Sequence, residues 1–224
     1  MRRIPDQKRT LQCGKQLETL IEKELQNKII DEVKESQIKW FNQIFAIPKR
    51  GNGKWRKITD CSELNDQLQE EHFKKEDIHV LRELMKQNDW MIKIDIESTY
   101  HHFPVNSNFR DFLEFKFKER SFIIVAMHFG IKHAPLVFQK IMMKVMQFFR
   151  ETMQLRCIDY SDDLIFFNQD KELFNQQIPA IRRKLNSLGW IIAEEQSCLI
   201  PNQQVEFLRW GINSLEDRIQ MTTE

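Results

Sequence analysis

The sequence predicts an α+β fold in which two helices pack on one face of a mainly antiparallel sheet. Three short apolar runs, at 90–94, 155–158 and 164–167, predict strands, and a tight turn joins the last two. After Pro135, which the first turn of a helix accepts, apolar residues recur at helical spacing over 137–149 and predict a buried helix face. The 224 residues can bury one sizeable core or two small lobes.

The elements before and between these strands follow in chain order. Residues 17–39 are rich in Glu, Lys, Leu and Ile, a mixture that favours a helix. Two strand-like runs joined by a Gly-rich turn predict a hairpin at 45–65. Residues 112–125 alternate around a charged turn at 118–120 and predict a second hairpin.

The C-terminal part of the chain is expected to contain a helix and two closing strands. Residues 171–188 predict the helix, with Pro179 kinking or delaying it and Gly189 ending it. Residues 190–193 and 205–212 have the composition of strands. Together with the helix over 137–149, the second helix supplies one layer against the sheet.

Three aspartates stand where predicted strands end. Asp95 follows the apolar run 90–94, and Asp162 and Asp163 lie in the turn between two further runs. If those strands pair, the three carboxylates come together and repel one another unless divalent cations neutralise them, and such oxygen-rich sites select Mg²⁺ or Mn²⁺. Two ions about 3.5–4 Å apart are a standard device for phosphoryl transfer. An Asp pair is also common in turns for purely local reasons, so the pair alone leaves both interpretations open.

Basic residues are concentrated in two segments, although the formal net charge is only +1. A basic hairpin tip suits a triphosphate or a nucleic-acid backbone, but charge on an edge strand also prevents aggregation. The N-terminal tail is a second basic segment, and such tails are commonly disordered. The cations are Lys49, Arg50, Lys54, Arg56 and Lys57 in the hairpin, and Arg2, Arg3, Lys8 and Arg9 in the tail.

The cysteines and the hydropathy pattern bear on the compartment. Cys13, Cys61, Cys157 and Cys198 are far apart and have no metal-ligand spacing, which predicts free thiols in a reducing, intracellular compartment. The pattern does not distinguish cytoplasm from nucleus. No apolar run approaches the roughly 20 residues that span a bilayer, so we expect no membrane partner.

Together, these segments resemble the ordered motifs of retroelement reverse transcriptases, most closely the polymerases of long-terminal-repeat and tyrosine-recombinase retrotransposons. The resemblance covers about residues 27–213, and five motifs in the family's order make it specific. The motifs are the hairpin at 45–65, the segment Asp95 to Tyr100, Phe129-Gly130 with Ala134-Pro135 and Phe138-Gln139, the turn Tyr160-Ser161-Asp162-Asp163, and Phe207-Leu208 with Gly211.

The resemblance implies an RNA-directed DNA polymerase with the fingers and palm of a right-hand polymerase. Residues 1–79 with 104–133 would form an N-terminal extension and the fingers, residues 80–103 with 134–215 the palm, and residues 216–224 a tail. The implied substrates are an RNA or DNA template-primer and dNTPs. A thumb and a ribonuclease H domain would come from a protein partner or from further domains of a polyprotein.

The resemblance also implies a role for each site residue. The catalytic, metal-binding residues are Asp95, Asp162 and Asp163, and the Ile96 carbonyl completes the shell of one of two Mg²⁺ or Mn²⁺ ions. Tyr100 corresponds to a steric gate that excludes the ribose 2′-hydroxyl. The nucleotide-binding residues are Lys49, Arg56, Ser98, Thr99, Tyr100, Phe129, Gly130 and Gln139. The primer-binding residues are Tyr160, Trp210 and Gly211.

Two departures from the family pattern leave an alternative open. Gln196 stands where the family often has a lysine proposed as the proton donor to pyrophosphate, and glutamine is no acid near neutral pH. Little chain follows Asn213, where relatives continue into a thumb, so the chain is either part of a polyprotein or a standalone fingers and palm. The alternative function is a non-catalytic subunit that uses the same fold to bind RNA or protein.

Overall fold

The structure, a computed structural model, describes residues 13–49, 53–71 and 78–222. Arg50 and the basic residues of the N-terminal tail lie outside these ranges. Within them, no helix combines the length and the apolar character needed to cross a membrane. All four cysteines are free thiols, and only Cys198 is not fully buried.

The described residues form two compact units, and the chain passes between them more than once. One unit contains the described residues of Met1–Glu71 together with Tyr100–Ala134. The other contains those of His72–Thr99 together with Pro135–Glu224. Each unit therefore has its own core built from separated parts of the sequence.

Short antiparallel sheets and a few helices make up both units. In chain order the helices are α1 (Gly14–Gln26), α2 (Ser62–Gln67), α3 (Ile78–Leu84), α4 (Ser107–Arg110), α5 (Ala134–Thr152) and α6 (Lys171–Ser187), with 3₁₀ turns at Glu35–Gln37 and Thr99–His102. The strands are β1 (Ile30–Val33), β2 (Gln43–Pro48), β3 (Trp55–Asp60), β4 (Trp90–Asp95), β5 (Glu114–Phe117), β6 (Arg120–Ile124), β7 (Arg156–Tyr160), β8 (Asp163–Asn168), β9 (Cys198–Asn202), β10 (Gln204–Phe207), β11 (Trp210–Asn213) and β12 (Arg218–Met221).

The first unit contains both predicted hairpins. Strands β2 and β3 pair with each other, and the second sheet has the order β1-β6-β5. The predicted helix over 17–39 is wrong beyond Gln26, because Lys28 takes a left-handed φ of 56° and the chain then enters β1. Ile30 is buried opposite Ile124 of β6, so long-range pairing overrides a local composition that favours a helix.

A four-stranded antiparallel sheet of order β7-β8-β4-β9 forms the centre of the second unit. Helix α5 packs on one face, where the rings of Phe149 and Phe166 meet edge to face at 5.1 Å. Helix α6 adjoins the same face, since its Lys171 ammonium lies 4.2 Å from the ring of Trp90, which alternation places on that side. The predicted helices and strands of the sheet are confirmed.

The opposite face of this sheet carries a hydrophobic cluster shared with α3 and with the sheet β10-β11-β12. Met91, Ile165 and Phe167 contribute from the central strands, and Phe207 and Ile212 from the smaller sheet. Strand β12 lies in a segment that the sequence analysis places in a tail. The site residues at the ends of β4 and β8 therefore stand on a rigid, closely packed base.

The predicted closing strand at 190–193 is wrong. Gly189 has a φ of 87°, and the Trp190 amide donates to the Leu185 carbonyl, so these residues close the end of α6 instead. Of this segment, only Ile192 forms an isolated bridge, with Ile96. The strand next to β4 is β9, which the sequence analysis did not anticipate.

The predicted strand at 205–212 is a hairpin, β10 and β11, and not a single strand. Leu208 and Arg209 both have left-handed φ angles, 54° and 63°, and form the two-residue turn. Phe207 and Trp210 are consequently cross-strand partners. Non-glycine residues in such a turn give little sequence signal, which is why the break was missed.

A buried ion pair removes one lysine from the basic surface predicted for the first hairpin. Lys57 of β3 has a side chain only 6% exposed, and its ammonium lies 2.5 Å from a carboxylate oxygen of Glu24 and 4.2 Å from the ring centre of Phe115. Burial lowers the pKa of Lys57, while Glu24 opposes that change. Lys57 therefore serves the packing of this unit and is not part of an exposed basic surface.

Replacing Glu24 by Gln should leave the buried Lys57 ammonium without a compensating charge and lower the free energy of unfolding by about 3–5 kcal/mol. The exposed pair Arg182–Glu194 is the matched control, and Glu194→Gln should cost less than about 1 kcal/mol. Urea denaturation of the three proteins measures both effects. Equal costs for the two substitutions would show that the Lys57–Glu24 pair is not buried as described.

Candidate active site

Two of the three predicted catalytic carboxylates lie opposite each other in the central sheet. Asp95, the last residue of β4, is the cross-strand partner of Asp163, the first residue of β8. The Ile96 amide donates to the Asp162 carbonyl at 2.9 Å, which fixes the β7–β8 turn against the end of β4. Ser161 in that turn has a left-handed φ of 56°. The strained turn thus holds the Asp pair beside Asp95.

The backbone of Asp95 is held by a closed set of hydrogen bonds. Its amide donates to the Ser197 hydroxyl at 3.0 Å, and that hydroxyl donates to the Ala193 carbonyl at 2.9 Å. The Ala193 amide donates in turn to the Asp95 carbonyl at 2.9 Å. Ser197 is not among the sequence-predicted site residues, because its support of Asp95 depends on contacts that only the fold creates.

Crowded charge gives Asp95 an unusual protonation equilibrium. Partial burial, followed by the neighbouring carboxylates of Asp163 and Asp162, raises the pKa of Asp95 to about 6. The Lys93 ammonium acts in the opposite sense. The three acids therefore interact electrostatically, as expected for carboxylates that share one site.

Lys93 is a member of this site that sequence analysis missed. Residues two apart in a strand point to the same face, so Lys93 and Asp95 share a side of β4. The Lys93 ammonium forms an ion pair with a carboxylate oxygen of Asp163 at 3.0 Å. Its place inside the apolar run 90–94 concealed it, although the period-two pattern could have indicated it.

The carboxylate oxygens of the three aspartates suit a hard divalent cation, but they do not form a complete set of metal ligands. Carboxylate oxygens are the ligands that Mg²⁺ and Mn²⁺ prefer. In the described part of the chain, no three His, Cys, Asp or Glu side chains stand close enough together to hold a metal ion. The predicted carbonyl ligand of Ile96 accepts a hydrogen bond from the Thr99 hydroxyl at 3.2 Å. The residues thus fit the cations chemically, although the three side chains are not arranged as a three-ligand group.

Other predicted residues of the second unit take different positions. Ser98 is exposed with a left-handed φ of 52°, whereas Thr99 is buried. Gln139 of α5 is buried, and its amide donates to a carboxylate oxygen of buried Asp159 at 3.1 Å. Gln139 thus joins α5 to β7, a contact that sequence analysis did not foresee. Tyr160 is the cross-strand neighbour of Asp163 and packs partly on the hydrophobic cluster.

The predicted primer-binding residues Trp210 and Gly211 lie on β11, between β10 and β12. Both are partly exposed. A side chain added at Gly211 would meet its nearest neighbour, the Thr222 methyl group, at an ordinary 3.6 Å. Packing within this sheet therefore does not by itself require glycine at this position.

In the first unit, three predicted nucleotide-binding residues meet at the ring of Phe129. The rings of Tyr100 and Phe129 meet edge to face with centres 4.4 Å apart, and the Arg56 guanidinium lies 5.4 Å from the Phe129 ring centre. Tyr100 is buried, whereas Phe129 is 57% exposed. Phe129 therefore orients both the buried ring of Tyr100 and the exposed guanidinium of Arg56. Lys49 is also exposed, at the end of β2.

Gly130 is required by close backbone packing in the first unit. A Cβ atom at this position would lie 2.6 Å from the Thr59 carbonyl oxygen and 2.6 Å from the ring of His128. The Gly130 amide donates to Nδ1 of His128 at 3.0 Å. The glycine predicted to bind the nucleotide is thus already needed for this loop to pack against β3.

Comparison with known proteins identifies relatives of one kind. A family model described as reverse transcriptase (RNA-dependent DNA polymerase) matches residues 47–212. The genome polyprotein of Petunia vein clearing virus is 27% identical over 185 residues, which are 80% of this chain and 8% of the relative. A retrovirus-related Pol polyprotein from the Drosophila melanogaster transposon opus is 23% identical over 203 residues, which are 89% of this chain and 20% of the relative. The chain thus spans a small part of both relatives.

Solved structures show the same fold. The foamy viral protease-reverse transcriptase in complex with double-stranded DNA superposes with a TM-score of 0.83 at 16% identity, over 100% of this chain and 37% of that one. The same viral protein in complex with an RNA/DNA hybrid gives a TM-score of 0.80 at 15% identity, over 96% and 27% of the two chains. The α+β architecture of polymerase fingers and palm, predicted from the sequence, is confirmed.

The raised pKa of Asp95 predicts a stability that depends on pH in the metal-free chain. The folded state keeps the Asp95 proton up to a pH of about 6, whereas an unfolded aspartate loses it near 4, so the free energy of unfolding falls as pH rises between these values. Asp95→Asn should therefore stabilise the chain at pH 7 by roughly 1 kcal/mol, allowing for solvent screening, and should have little effect below about pH 4.

Urea denaturation with a chelator present, at several pH values, measures this difference. The exposed Glu83 of α3 offers a control in the same unit, and Glu83→Gln should not reproduce the effect. A loss of stability in Asp95→Asn at pH 7 would contradict the proposed crowding of charge.

Proposed function

The chain belongs to the reverse transcriptase family, and we propose that it acts as an RNA-directed DNA polymerase. Such an enzyme joins the 3′-oxygen of a primer to the α-phosphorus of a dNTP and releases pyrophosphate. The observation that carries the proposal is the pairing of Asp95 with Asp163 beside a turn anchored through Asp162. Charges crowded in this way destabilise the fold, so a catalytic role explains their presence better than packing does.

The carboxylates are proposed to hold two divalent ions, with Asp95 and Asp162 as the principal ligands. The chemistry that Mg²⁺ or Mn²⁺ supplies when bound is activation of the primer hydroxyl and stabilisation of the leaving pyrophosphate. Asp95 is oriented for this by the Ser197 hydroxyl, and Asp162 by the amide of Ile96. Backbone anchors of this kind keep a ligand in place without consuming its carboxylate oxygens.

The first unit supplies the proposed nucleotide contacts. Lys49 and Arg56 are exposed cations that can donate to the triphosphate, and the guanidinium does so through a planar fork. Arg56 is already oriented on Phe129, so less conformational entropy is lost when phosphate binds. Tyr100, held edge-on by the same ring, is the proposed barrier to a ribose 2′-hydroxyl.

The proposed macromolecular substrate is a primer paired with an RNA or DNA template. Support comes from the foamy viral protein, which has this fold and whose structures are complexes with double-stranded DNA and with an RNA/DNA hybrid. On β11, Trp210 and Gly211 are proposed to contact the primer, as is Tyr160 on β7. Because the chain spans less than half of these proteins, duplex contacts from further polyprotein domains or a partner chain are part of the proposal.

Primer extension tests the proposal directly. The chain should add dNTPs to a primer on RNA and DNA templates with Mg²⁺ or Mn²⁺ at low salt, where phosphate contacts bind most strongly. Asp162→Asn should lower the rate by at least about 100-fold because a metal ligand is lost, whereas Glu83→Gln should leave it unchanged. Absence of extension by a folded chain that still binds primer-template would favour the non-catalytic alternative and overturn the polymerase assignment.

Sugar discrimination tests the role of Tyr100 separately. Tyr100→Val removes the ring and should raise incorporation of ribonucleotides relative to dNTPs by roughly tenfold or more, because only the 2′-hydroxyl contact is relieved. Tyr100→Phe keeps the ring and should retain the discrimination of the parent. The ratio of kcat/KM for the two nucleotides is the measurement, and equal ratios in all three proteins would remove Tyr100 from the sugar site.

A further inference from the structure

Lys93 stands inside the carboxylate site and has no role in the function proposed above. Its ammonium is 3.0 Å from Oδ1 of Asp163, and both side chains are only about one fifth exposed, at 22% and 21%. Shielding of this degree strengthens an ion pair beyond what a fully exposed pair contributes. The pair is therefore a durable part of the site in the metal-free chain.

Lys93 pairs with Asp163 although other acidic residues lie near it. Lys93 also lines a cleft of about 480 Å³ whose walls include the acids Glu195 and Glu206. The ammonium nevertheless pairs with Asp163. Lys93 lies opposite Ile165, and Asp163 is two residues from Ile165 on the same face of β8, so Asp163 is a diagonal cross-strand neighbour of Lys93. The strand geometry thus directs the cation to Asp163.

We propose that Lys93 is a positioning residue that engages Asp163 and keeps that carboxylate out of the divalent-metal shell. Asp95 and Asp162 are then the pair that offers charge to the cation. A carboxylate oxygen engaged by an ammonium is a poorer metal ligand, and the tethered cation reduces the net charge of the three acids by one.

This inference rests on the proposed metal site and predicts a gain of binding, which loss of folding cannot imitate. Removing the charge with Lys93→Met should release Asp163 and raise the affinity for Mn²⁺ by about tenfold, since affinity follows the charge and number of ligands. Lys93→Arg keeps the ion pair and should stay within about twofold of the parent. If methionine destabilises the unit, Lys93→Gln provides the same comparison with a polar side chain.

The experiment is titration of Mn²⁺ into the full chain, with free ion measured by electron paramagnetic resonance and folding checked by circular dichroism. A double-mutant cycle with Asp163→Asn separates the two ways in which Lys93 can act. If Lys93 acts by engaging Asp163, the gain from Lys93→Met should fall to about twofold or less when residue 163 is Asn, because no carboxylate is left to release.

The outcomes separate this inference from the proposed function. A gain of equal size with Asp or Asn at 163, or no gain at all in a folded Lys93→Met chain, overturns the role of Lys93. Loss of Mn²⁺ binding in Asp162→Asn supports the metal site itself. If the parent chain binds no Mn²⁺, or binds it equally well after Asp162→Asn, the metal site of the proposed function fails, and the role of Lys93 fails with it.

Discussion

The antiparallel pairing of β4 with β8 is the interaction on which the rest of the site depends. It places Asp95 opposite Asp163 and puts Lys93 on the same side of the sheet. A slip of one residue would turn every side chain of β4 to the other face, so the register must be held firmly. Packing of Met91 and Phe167 in the hydrophobic cluster on one face holds it, because such a slip would turn both side chains away from that cluster. The hydrophobic cluster thus holds together a site whose carboxylates repel one another.

Two lysines of this chain are neutralised by ion pairs with acidic residues, and the chain as a whole carries no large excess of cations. Lys57 sits inside the first unit beside Glu24, and Lys93 is paired with Asp163 in the second. A cation removed from water in this way contributes little to a long-range basic surface. Among the described cations of the first hairpin, Lys49, Lys54 and Arg56 are exposed and remain accessible to nucleic acid or phosphate, whereas Lys57 is not.

The family resemblance and the structure differ in where a cation stands near the acids. The resemblance implies a lysine where Gln196 stands, whereas Gln196 and Lys93 line the same cleft beside Asp163. The cation next to the carboxylates therefore comes from β4. Its charge acts on the proposed metal site, separately from the hydrogen bonds that anchor the backbone of Asp95.

The sequence by itself determined the elements whose signals are local. Apolar runs at strand length and helical spacing over 137–149 were sufficient for strands β4, β7 and β8 of the central sheet and for helix α5. These predictions succeeded because periodicity reports which face of an element is buried. Only the tertiary structure decided the partners of individual side chains. Lys57 is buried because α1 brings Glu24 to it, and Lys93 is a site residue because β8 lies beside β4. Contacts between residues far apart in the chain depend on register and packing, and no local window of sequence contains them.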